Sequence, residues 1–351
     1  KQVWADSWPP AGAFVSAGGQ FLLAASGHFH VRLWAVFHVR RHPHEQKRPT
    51  MPESVRFTSK GLQLAGNLYY PESTEDGLPA VVVSHPFGGV KEQTAGLYAQ
   101  ELAAKGFVAL TFDASYQGES EGEPRFLEDP STRVEDIRSA VSFLTTVARV
   151  DPDRIGALGI CASGGYVPNA AATDQRIKAI GTISAADIGS LYRDGLGGGQ
   201  SVEQLQQALS AAAVDRTAQA QGAKPALAHV VPEPDEITAD TPSLFAEGTN
   251  YYRTPRAQHP NSPNWYAASS IVPIAAYSSY DHVDLISPRP LLMIAGTEAD
   301  TLYFSEQAIA KAAEPKELYL IDGATHIDLY DRPQYVGPAV EKLAEFFAKY
   351  L

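Results

Sequence analysis

The segment Asp153–Tyr166, which reads DRIGALGICASGGY, restricts the fold of this chain more than any other stretch. The small and apolar residues 155–159 predict a buried strand, and residues 166–172 can continue as a helix. Between them stands Cys161, the sole cysteine of the chain. A strand that turns sharply into a helix over one reactive side chain is a nucleophile elbow, usually written G-x-S-x-G. Its tight turn requires small residues two before and two after the nucleophile, and here these are glycine and serine.

Ser163 is the rival nucleophile, because Cys161 and Gly165 flank it at the same spacing. We favour Cys161, since it follows the glycine that ends the strand and leaves the following Gly-Gly pair for close helix packing. The helix N-terminus is also expected to favour thiolate over thiol. A lone cysteine is more often a small buried apolar residue, but the strand–turn–helix context points to a nucleophile.

The totals of the chain exclude several function classes. With 351 residues it can form one large α/β domain with an insertion, or two smaller domains. A net charge of −12 argues against binding nucleic acid or an anionic membrane. One cysteine cannot form an internal disulfide, so we expect a cytoplasmic protein. No nucleotide, phosphate-loop or zinc motif is present, and no cofactor is expected. The predicted partner is a small-molecule acyl substrate, and a homodimer is left open.

Residues 1–50 differ in composition from the rest. They are net basic, hold three of the four tryptophans, and their apolar run 21–39 is interrupted by histidines and an arginine. These interruptions argue against a membrane-spanning helix. We expect this leader to be disordered or non-native, as upstream translated sequence, an expression remnant or a weak targeting peptide, and exclude it from the fold.

From Met51 on, apolar strand patterns alternate with helical ones. An opening hairpin is predicted at residues 55–70, and later strands at 79–84, 107–112, 155–159, 177–184, 290–296 and 317–321. This rhythm indicates an α/β fold with a mostly parallel central sheet and helices on both faces. It is broken once, over residues 188–285, which we interpret as an inserted helical cap. The predicted core is then 51–187 and 286–351.

A thiol nucleophile needs a base to take its proton and a third group to orient the base. In a fold of this kind the order is nucleophile, acid, histidine, with the histidine after the last strand. His326 occupies that place in a G-x-x-H motif, and Asp300 follows the preceding strand. Glu298 and Asp187 are the alternatives for the acid.

Acyl transfer through a tetrahedral intermediate also needs N–H donors for the oxyanion. The backbone of Ala162, next to the nucleophile, is one predicted donor. The other should come from the loop HPFGG after the strand 79–84, with Phe87 preferred and Gly88 in reserve. His85 in that loop is expected to brace it.

Taken together, the motifs HPFGG, GICASGGY and GATHIDLY resemble the dienelactone-hydrolase-like branch of the α/β-hydrolases, shared by bacterial and fungal proteins. The resemblance implies the α/β-hydrolase fold and a Cys–His–Asp triad at Cys161, His326 and Asp300. Fungal relatives include acyltransferases that act on polyketide thioesters. The insertion at 188–285 departs from the compact dienelactone hydrolases and their small lactone substrates.

The predicted function is a cysteine-dependent hydrolase of carboxylic ester, lactone or thioester bonds that works through an acyl-enzyme. The alternatives are an acyltransferase with a carrier or CoA thioester as donor, and a non-catalytic binding protein on the same fold. The cap is expected to form an apolar pocket over the strand ends. Its proposed substrate-binding residues are Tyr251, Tyr252, Arg253 and Trp265, with His259 as a second polar contact.

Overall fold

An eight-stranded sheet runs through residues 51–351, the part of the chain that a computed structural model describes. Its strands are β1 (Glu53–Ser59), β2 (Leu62–Tyr69), β3 (Leu78–Ser84), β4 (Val108–Phe112), β5 (Val150–Ile160), β6 (Ile177–Ile183), β9 (Leu291–Gly296) and β10 (Lys316–Ile321). Two short strands, β7 (Leu227–His229) and β8 (Trp265–Ala267), form a separate antiparallel pair. The prediction about residues 1–50 lies outside the described residues.

The strand order is β1-β2-β4-β3-β5-β6-β9-β10. Strand β2 is antiparallel to both of its neighbours, and all other pairs from β4 to β10 are parallel. The predicted hairpin is therefore present, with β1 paired to β2 around Lys60 and Gly61. The order places β5, which leads into Cys161, next to β3 and β6 in the middle of the sheet.

Ten helices are found in residues 51–351. They are α1 (Thr94–Ala104), α2 (Pro130–Leu144), α3 (Ser163–Thr173), α4 (Ile188–Asp194), α5 (Val202–Ala220), α6 (Ser243–Arg253), α7 (Ile271–Ala275), α8 (Leu302–Lys311), α9 (Asp328–Asp331) and α10 (Pro333–Tyr350). Short 3₁₀ turns span Leu196–Gly198, Pro234–Glu236, Ala268–Ser270 and Val283–Ile286.

Apolar residues cover both faces of the sheet, as expected for parallel strands. Along β3, Ala80 and Val82 pack into the cluster that contains α2 and α3. Their neighbours Val81 and Val83 point the other way, into the cluster that contains α1 and α10. Because successive side chains of a strand alternate between faces, a continuous apolar run fills both layers.

The final helix, α10, begins at Pro333 and contains a second proline, Pro338. Pro333 fits the first turn of a helix because its missing N–H has no intrahelical partner there. Pro338 lies inside the helix. From the sequence pattern alone, a proline there would favour placing the start of the helix at Pro338. The helix still buries Val340, Leu343 and Phe347.

Residues 188–285 carry helices α4 to α7 and the β7–β8 pair. Helix α5 begins with a capping box in which the Ser201 and Gln204 side chains bond each other's backbone N–H. Of its nineteen residues only Ala212 is buried, so α5 lies on the surface. Across residues 51–351, the hydropathy of the helices falls short of what a membrane span requires.

Candidate active site

The elbow has the geometry that the sequence predicts. Cys161 follows β5 directly, adopts the left-handed conformation with φ 57°, and is followed by α3. A Cβ atom at Gly159 would lie 1.9 Å from the Ser163 carbonyl oxygen, so only glycine fits there. The Cys161 carbonyl accepts hydrogen bonds from the N–H groups of Gly164 and Ala186, at 2.8 and 2.9 Å. The turn thus holds Cys161, a half-buried residue, at the carboxyl edge of the sheet.

Three groups can donate a hydrogen bond to the thiolate form of Cys161. They are the Tyr330 hydroxyl and the backbone N–H groups of Ala162 and Phe87, and all three lower the pKa of the thiol. Burial is the larger effect, so the net pKa of Cys161 is raised. The expectation that the helix N-terminus favours thiolate is therefore corrected for this structure. Desolvation of the charged sulfur outweighs the N–H groups that face it.

Ser163 is fully buried and its hydroxyl is occupied. It donates to the His85 carbonyl at 2.6 Å, accepts from the Arg133 guanidinium at 2.9 Å and contacts the Ser84 hydroxyl at 2.9 Å. The Ser163 hydroxyl therefore serves a structural role in the turn, because its hydrogen-bonding capacity is used by three neighbouring groups. Its position agrees with the choice of Cys161 over Ser163.

His85 braces its loop from within the core. Its ring Nδ1 is 2.7 Å from the Pro86 carbonyl, and Nε2 accepts the Ala114 N–H at 3.1 Å. Burial, followed by the charge of Arg133, lowers the pKa of His85 well below its usual value. A neutral ring is therefore held between two backbone groups, which fixes the loop that carries Phe87.

His326 lies after β10, as predicted, and is almost completely buried. Its Nδ1 is 2.5 Å from the Thr301 hydroxyl, and its Nε2 is 3.3 Å from the Tyr330 hydroxyl. Burial lowers the pKa of His326 to about 3. In this arrangement the ring is neutral, and both of its nitrogens face hydroxyl groups.

The prediction that Asp300 hydrogen-bonds His326 is not met in this structure. One Asp300 carboxylate oxygen accepts the Leu244 N–H at 2.9 Å, and the other is buried without a partner. The next residue, Thr301, precedes α8, and its hydroxyl is the group on His326 Nδ1. Burial raises the pKa of Asp300, as expected for a carboxylate with one unpaired oxygen.

Among the hydrogen bonds of residues 51–351, neither alternative acid bonds His326. Asp187 caps the N-terminus of α4, where its carboxylate accepts the N–H groups of Gly189 and Ser190 and the Ser279 hydroxyl. Glu298 is exposed on the loop after β9. Of the three acids considered, Asp300 is thus the one adjacent in sequence to Thr301, the residue that contacts His326 Nδ1.

The predicted substrate-binding residues are not all brought together. Tyr252 is buried, its ring packs edge-on against Tyr330 with centroids 6.4 Å apart, and the charge of Cys161 contributes to raising its pKa. Tyr251 packs behind it, edge-on to Tyr330 with ring centroids 5.1 Å apart. Arg253 instead pairs with Glu233 at 3.1 Å, because that carboxylate lies beside it.

Trp265 is also placed away from the thiol. It is 37% exposed, and its ring lies tilted against His229, with centroids 4.2 Å apart, where β7 pairs with β8. His259 accepts the Asn261 N–H within its own turn. The sequence shows that this segment is rich in aromatic residues. The face on which each of them lies depends on strand pairings such as β7–β8, which the hydrophobic pattern does not reveal.

Residues 188–285 contact both loops that surround Cys161. Tyr192 and Tyr266 pack edge-on against the Phe87 ring, with centroids 6.1 and 5.2 Å away. A Cβ at Gly88 would lie 2.7 Å from the Val230 side chain. On the elbow side, the Tyr280 hydroxyl donates to the Gly164 carbonyl at 3.2 Å.

Three buried residues near the site had no predicted role: Arg133, Thr301 and Tyr330. Tyr330 belongs to the motif GATHIDLY and stands four residues after His326, a spacing that brings side chains together on a helical turn. That spacing is the signal that could have identified it. Thr301 lies next to Asp300, and Arg133 is buried on α2 together with Asp136, beside an apolar stripe.

Comparison with known proteins supports an enzyme of this fold. A family model, X-Pro dipeptidyl-peptidase (S15 family), matches residues 60–284, more than half of the chain. The protein YcjY of Escherichia coli (strain K12) is 40% identical over 309 residues, which cover 86% of this chain and 100% of YcjY. The crystal structure of PA2218 from Pseudomonas aeruginosa superposes with a TM-score of 0.82 at 38% identity, over 87% of this chain and 95% of that one.

Fungal proteins are among the more distant relatives. Thiohydrolase aneE of Aspergillus aculeatus is 28% identical over 75% of this chain and 81% of its own length. Others have transferase names, such as acyltransferase drtE. The predicted resemblance to α/β-hydrolases is confirmed, and the fungal relatives carry thiohydrolase and acyltransferase names. The family match and the 40% identical relative together assign this chain to the S15 family of α/β-hydrolase-type enzymes.

Proposed function

We propose that this protein is a cysteine-dependent hydrolase of carboxylic esters, lactones or thioesters. Peptidases of the S15 family are serine-based, whereas the elbow of this chain holds Cys161. We therefore base the proposed reaction on the thiol, and thioesters, as in the name of the relative thiohydrolase aneE, are the preferred substrate class.

One observation carries the proposal. Cys161 is a half-buried residue on a left-handed turn, and hydrogen bonds from the N–H groups of Ala162 and Phe87 lower the pKa of its thiol. These are the two donors expected of an oxyanion hole. Donors that lower the pKa of a thiol also stabilise negative charge beside it.

The proposed reaction proceeds in two steps. The Cys161 thiol loses its proton toward His326, and the sulfur attacks the acyl carbonyl carbon. The carbonyl oxygen becomes an oxyanion held by Phe87 and Ala162, after which the bond to the leaving group breaks and His326 returns a proton to that group. Water, deprotonated by His326, then attacks the thioester on Cys161 and releases the acid and the free thiol.

Acyl transfer is the second candidate, supported by the cover over the site. Tyr192, Tyr252 and Tyr266 are buried or half-buried around Phe87 and Cys161 and belong to the segment 188–285. We propose that this segment is a cap that excludes water, which would favour an alcohol or amine over water as acceptor. An ester product formed from an acyl thioester and added alcohols would identify transfer.

The role of Cys161 is tested by two substitutions at the elbow. Cys161→Ala should lower turnover of an acyl thioester or activated ester by about a thousandfold or more, since the nucleophile is lost. Ser163→Ala should keep turnover within about tenfold, while its loss of hydrogen bonds costs about 1–3 kcal/mol of stability. Steady-state kinetics and thermal unfolding measure both effects. Full activity in Cys161→Ala with loss of activity in Ser163→Ala would move the nucleophile to Ser163.

A further inference from the structure

The hydroxyl of Tyr330 stands between the predicted nucleophile and the predicted base. This hydroxyl lies 3.3 Å from His326 Nε2, and a hydrogen bond from the same hydroxyl is one of the effects that lower the pKa of the Cys161 thiol. Among the hydrogen bonds of residues 51–351, Nε2 therefore bonds Tyr330 rather than the thiol. A hydroxyl can donate one hydrogen bond and accept others at the same time, so it can connect these two groups.

The position of Tyr330 is fixed by its surroundings. Its side chain is 1% exposed, and the rings of Tyr251 and Tyr252 pack edge-on against it, with interplanar angles of 89° and 81°. Its backbone carbonyl accepts the Thr94 hydroxyl at 3.0 Å. A side chain held in this way can keep its hydroxyl within reach of both partners without rearrangement.

We propose that Tyr330 is a catalytic residue that relays the proton from the Cys161 thiol to His326. The inference rests on the proposed function, in which Cys161 is the nucleophile. In the resting state the thiol S–H donates to the Tyr330 oxygen, and the Tyr330 O–H donates to His326 Nε2.

On activation the S–H bond breaks and its proton binds the Tyr330 oxygen, while the original Tyr330 proton passes to Nε2. The products are a thiolate and an imidazolium, and Tyr330 remains neutral throughout. Its hydroxyl now donates to the thiolate and accepts from the imidazolium. Burial, followed by the charge of Cys161, raises the pKa of Tyr330 well above its usual value, which disfavours a tyrosinate intermediate and favours a concerted transfer.

Other charged and titratable groups face Cys161 from the elements packed around it. They are Arg133 on α2, Tyr192 on α4, Tyr252 on α6 and Tyr280 before the turn Val283–Ile286. Burial raises the pKa of each of these three tyrosines, so they stay neutral, and Arg133 lowers the pKa of the thiol. Among these groups and Tyr330, all within residues 51–351, the hydrogen bond to His326 comes from Tyr330.

The test compares Tyr330→Phe with wild type and with Tyr98→Phe. The control removes a buried hydroxyl from the same region, one that donates to the Leu329 carbonyl at 2.8 Å and does not bond Cys161 or His326. Iodoacetamide alkylation of Cys161 is followed against pH, and single-turnover acylation by an acyl thioester is followed by intact mass. Tyr330→Phe should raise the midpoint pH of alkylation and slow acylation about a hundredfold, the scale of a lost proton-transfer group. Tyr98→Phe should behave like wild type in both.

A double variant gives the sharper readout. If Tyr330 and His326 act in one relay, Tyr330→Phe/His326→Ala should be no slower in acylation than His326→Ala alone. Losses that simply add, or wild-type acylation by Tyr330→Phe, would overturn the relay. If the Tyr330→Phe variant fails to fold, the relay is tested instead by measuring the rate of wild-type acylation in mixtures of H₂O and D₂O. Two protons in transit give a curved proton inventory, and one gives a straight line, which would contradict the relay.

The relay and the proposed function fail in different ways. If wild type acylates Cys161 and Tyr330→Phe does so equally fast, the relay is wrong and the function stands. If wild type turns over the thioester without acylating Cys161, the proposed function itself is wrong.

Discussion

At the scale of single residues, the partner of His326 Nδ1 decides how the base works. In this structure the partner is the neutral hydroxyl of Thr301, and the pKa of His326 is about 3. An imidazole that takes a proton from a thiol needs its positive charge stabilised, and a carboxylate does this better than a hydroxyl. Asp300 directly precedes Thr301 in the chain, and one oxygen of its carboxylate is buried without a hydrogen-bond partner. We therefore propose that Asp300 turns toward His326 when the imidazolium forms.

Paired substitutions separate these two residues. Asp300→Asn should lower kcat/KM by about a hundredfold or more, because the amide cannot stabilise the imidazolium. Thr301→Val should lower it by about tenfold or less, the loss of one neutral hydrogen bond. Steady-state kinetics on an acyl thioester measures both. A larger loss in Thr301→Val than in Asp300→Asn would show that the hydroxyl orients His326 and that Asp300 is not the acid.

The residues of the site differ in how far sequence could identify them. Cys161 and His326 lie in short motifs whose spacing fixes their place at strand ends, so both were predictable. Thr301 and Tyr330 were not predicted, because their roles depend on which hydroxyl reaches which nitrogen of His326. A sequence motif predicts which turn carries a side chain. The hydrogen-bond partner of that side chain depends on how the surrounding elements pack.

At the scale of elements, the strand β5, the turn at Cys161 and helix α3 act as one unit. The close approach of Gly159 to the Ser163 backbone closes the turn, and the Gly164 position lies 2.6 Å from Ala185 atoms when a Cβ is added. Small residues are therefore needed for geometry on both sides of the nucleophile. The strained φ of Cys161 persists because these contacts leave the turn little freedom.

We expect Gly159→Ala to disrupt this unit. The added methyl group would meet backbone atoms 1.9 and 2.5 Å away, which cannot rotate aside, so the free energy of unfolding should fall by about 3 kcal/mol. Turnover should fall with it, since the turn that presents Cys161 must shift. Denaturant unfolding and thioester kinetics measure the two effects.

Gly199→Ala is the matched control, because Gly199 is exposed, has φ −82° and has its nearest neighbour 3.8 Å away. This variant should stay within about 0.5 kcal/mol of wild type or gain slightly. Equal destabilisation of both variants would mean that the close approach at Gly159 does not limit the turn.

The strands and helices of the core were predictable for a physical reason. Buried parallel strands such as β3 and β4 read as continuous apolar runs, and the helices between them carry apolar stripes. The boundaries were less certain where proline was involved, as in α10, since proline is accepted both at the start of a helix and within it. The pairing of β7 with β8 could not be read from three-residue strands.

At the scale of the molecule, residues 188–285 lie against the same edge of the sheet that carries the nucleophile. The Val230 side chain packs against Gly88 in the loop that carries Phe87. The Tyr280 hydroxyl donates a hydrogen bond to the Gly164 carbonyl in the first turn of α3. Ligands of open α/β sheets bind at the carboxyl ends of the strands, where these contacts are found. The arrangement agrees with a cap over a small acyl substrate, and the chemistry beneath it depends on whether Cys161 carries the acyl group.

Trapping the acyl-enzyme tests that claim most directly. The full chain is mixed with an acyl thioester, quenched in acid within the first turnovers, and measured by intact mass and peptide mapping, with Cys161→Ala in parallel. The account predicts a mass increase of one acyl group on the peptide that contains Cys161, and none in Cys161→Ala. An acyl group on Ser163 or elsewhere, or turnover without any acylated protein in rapidly quenched samples, would contradict it.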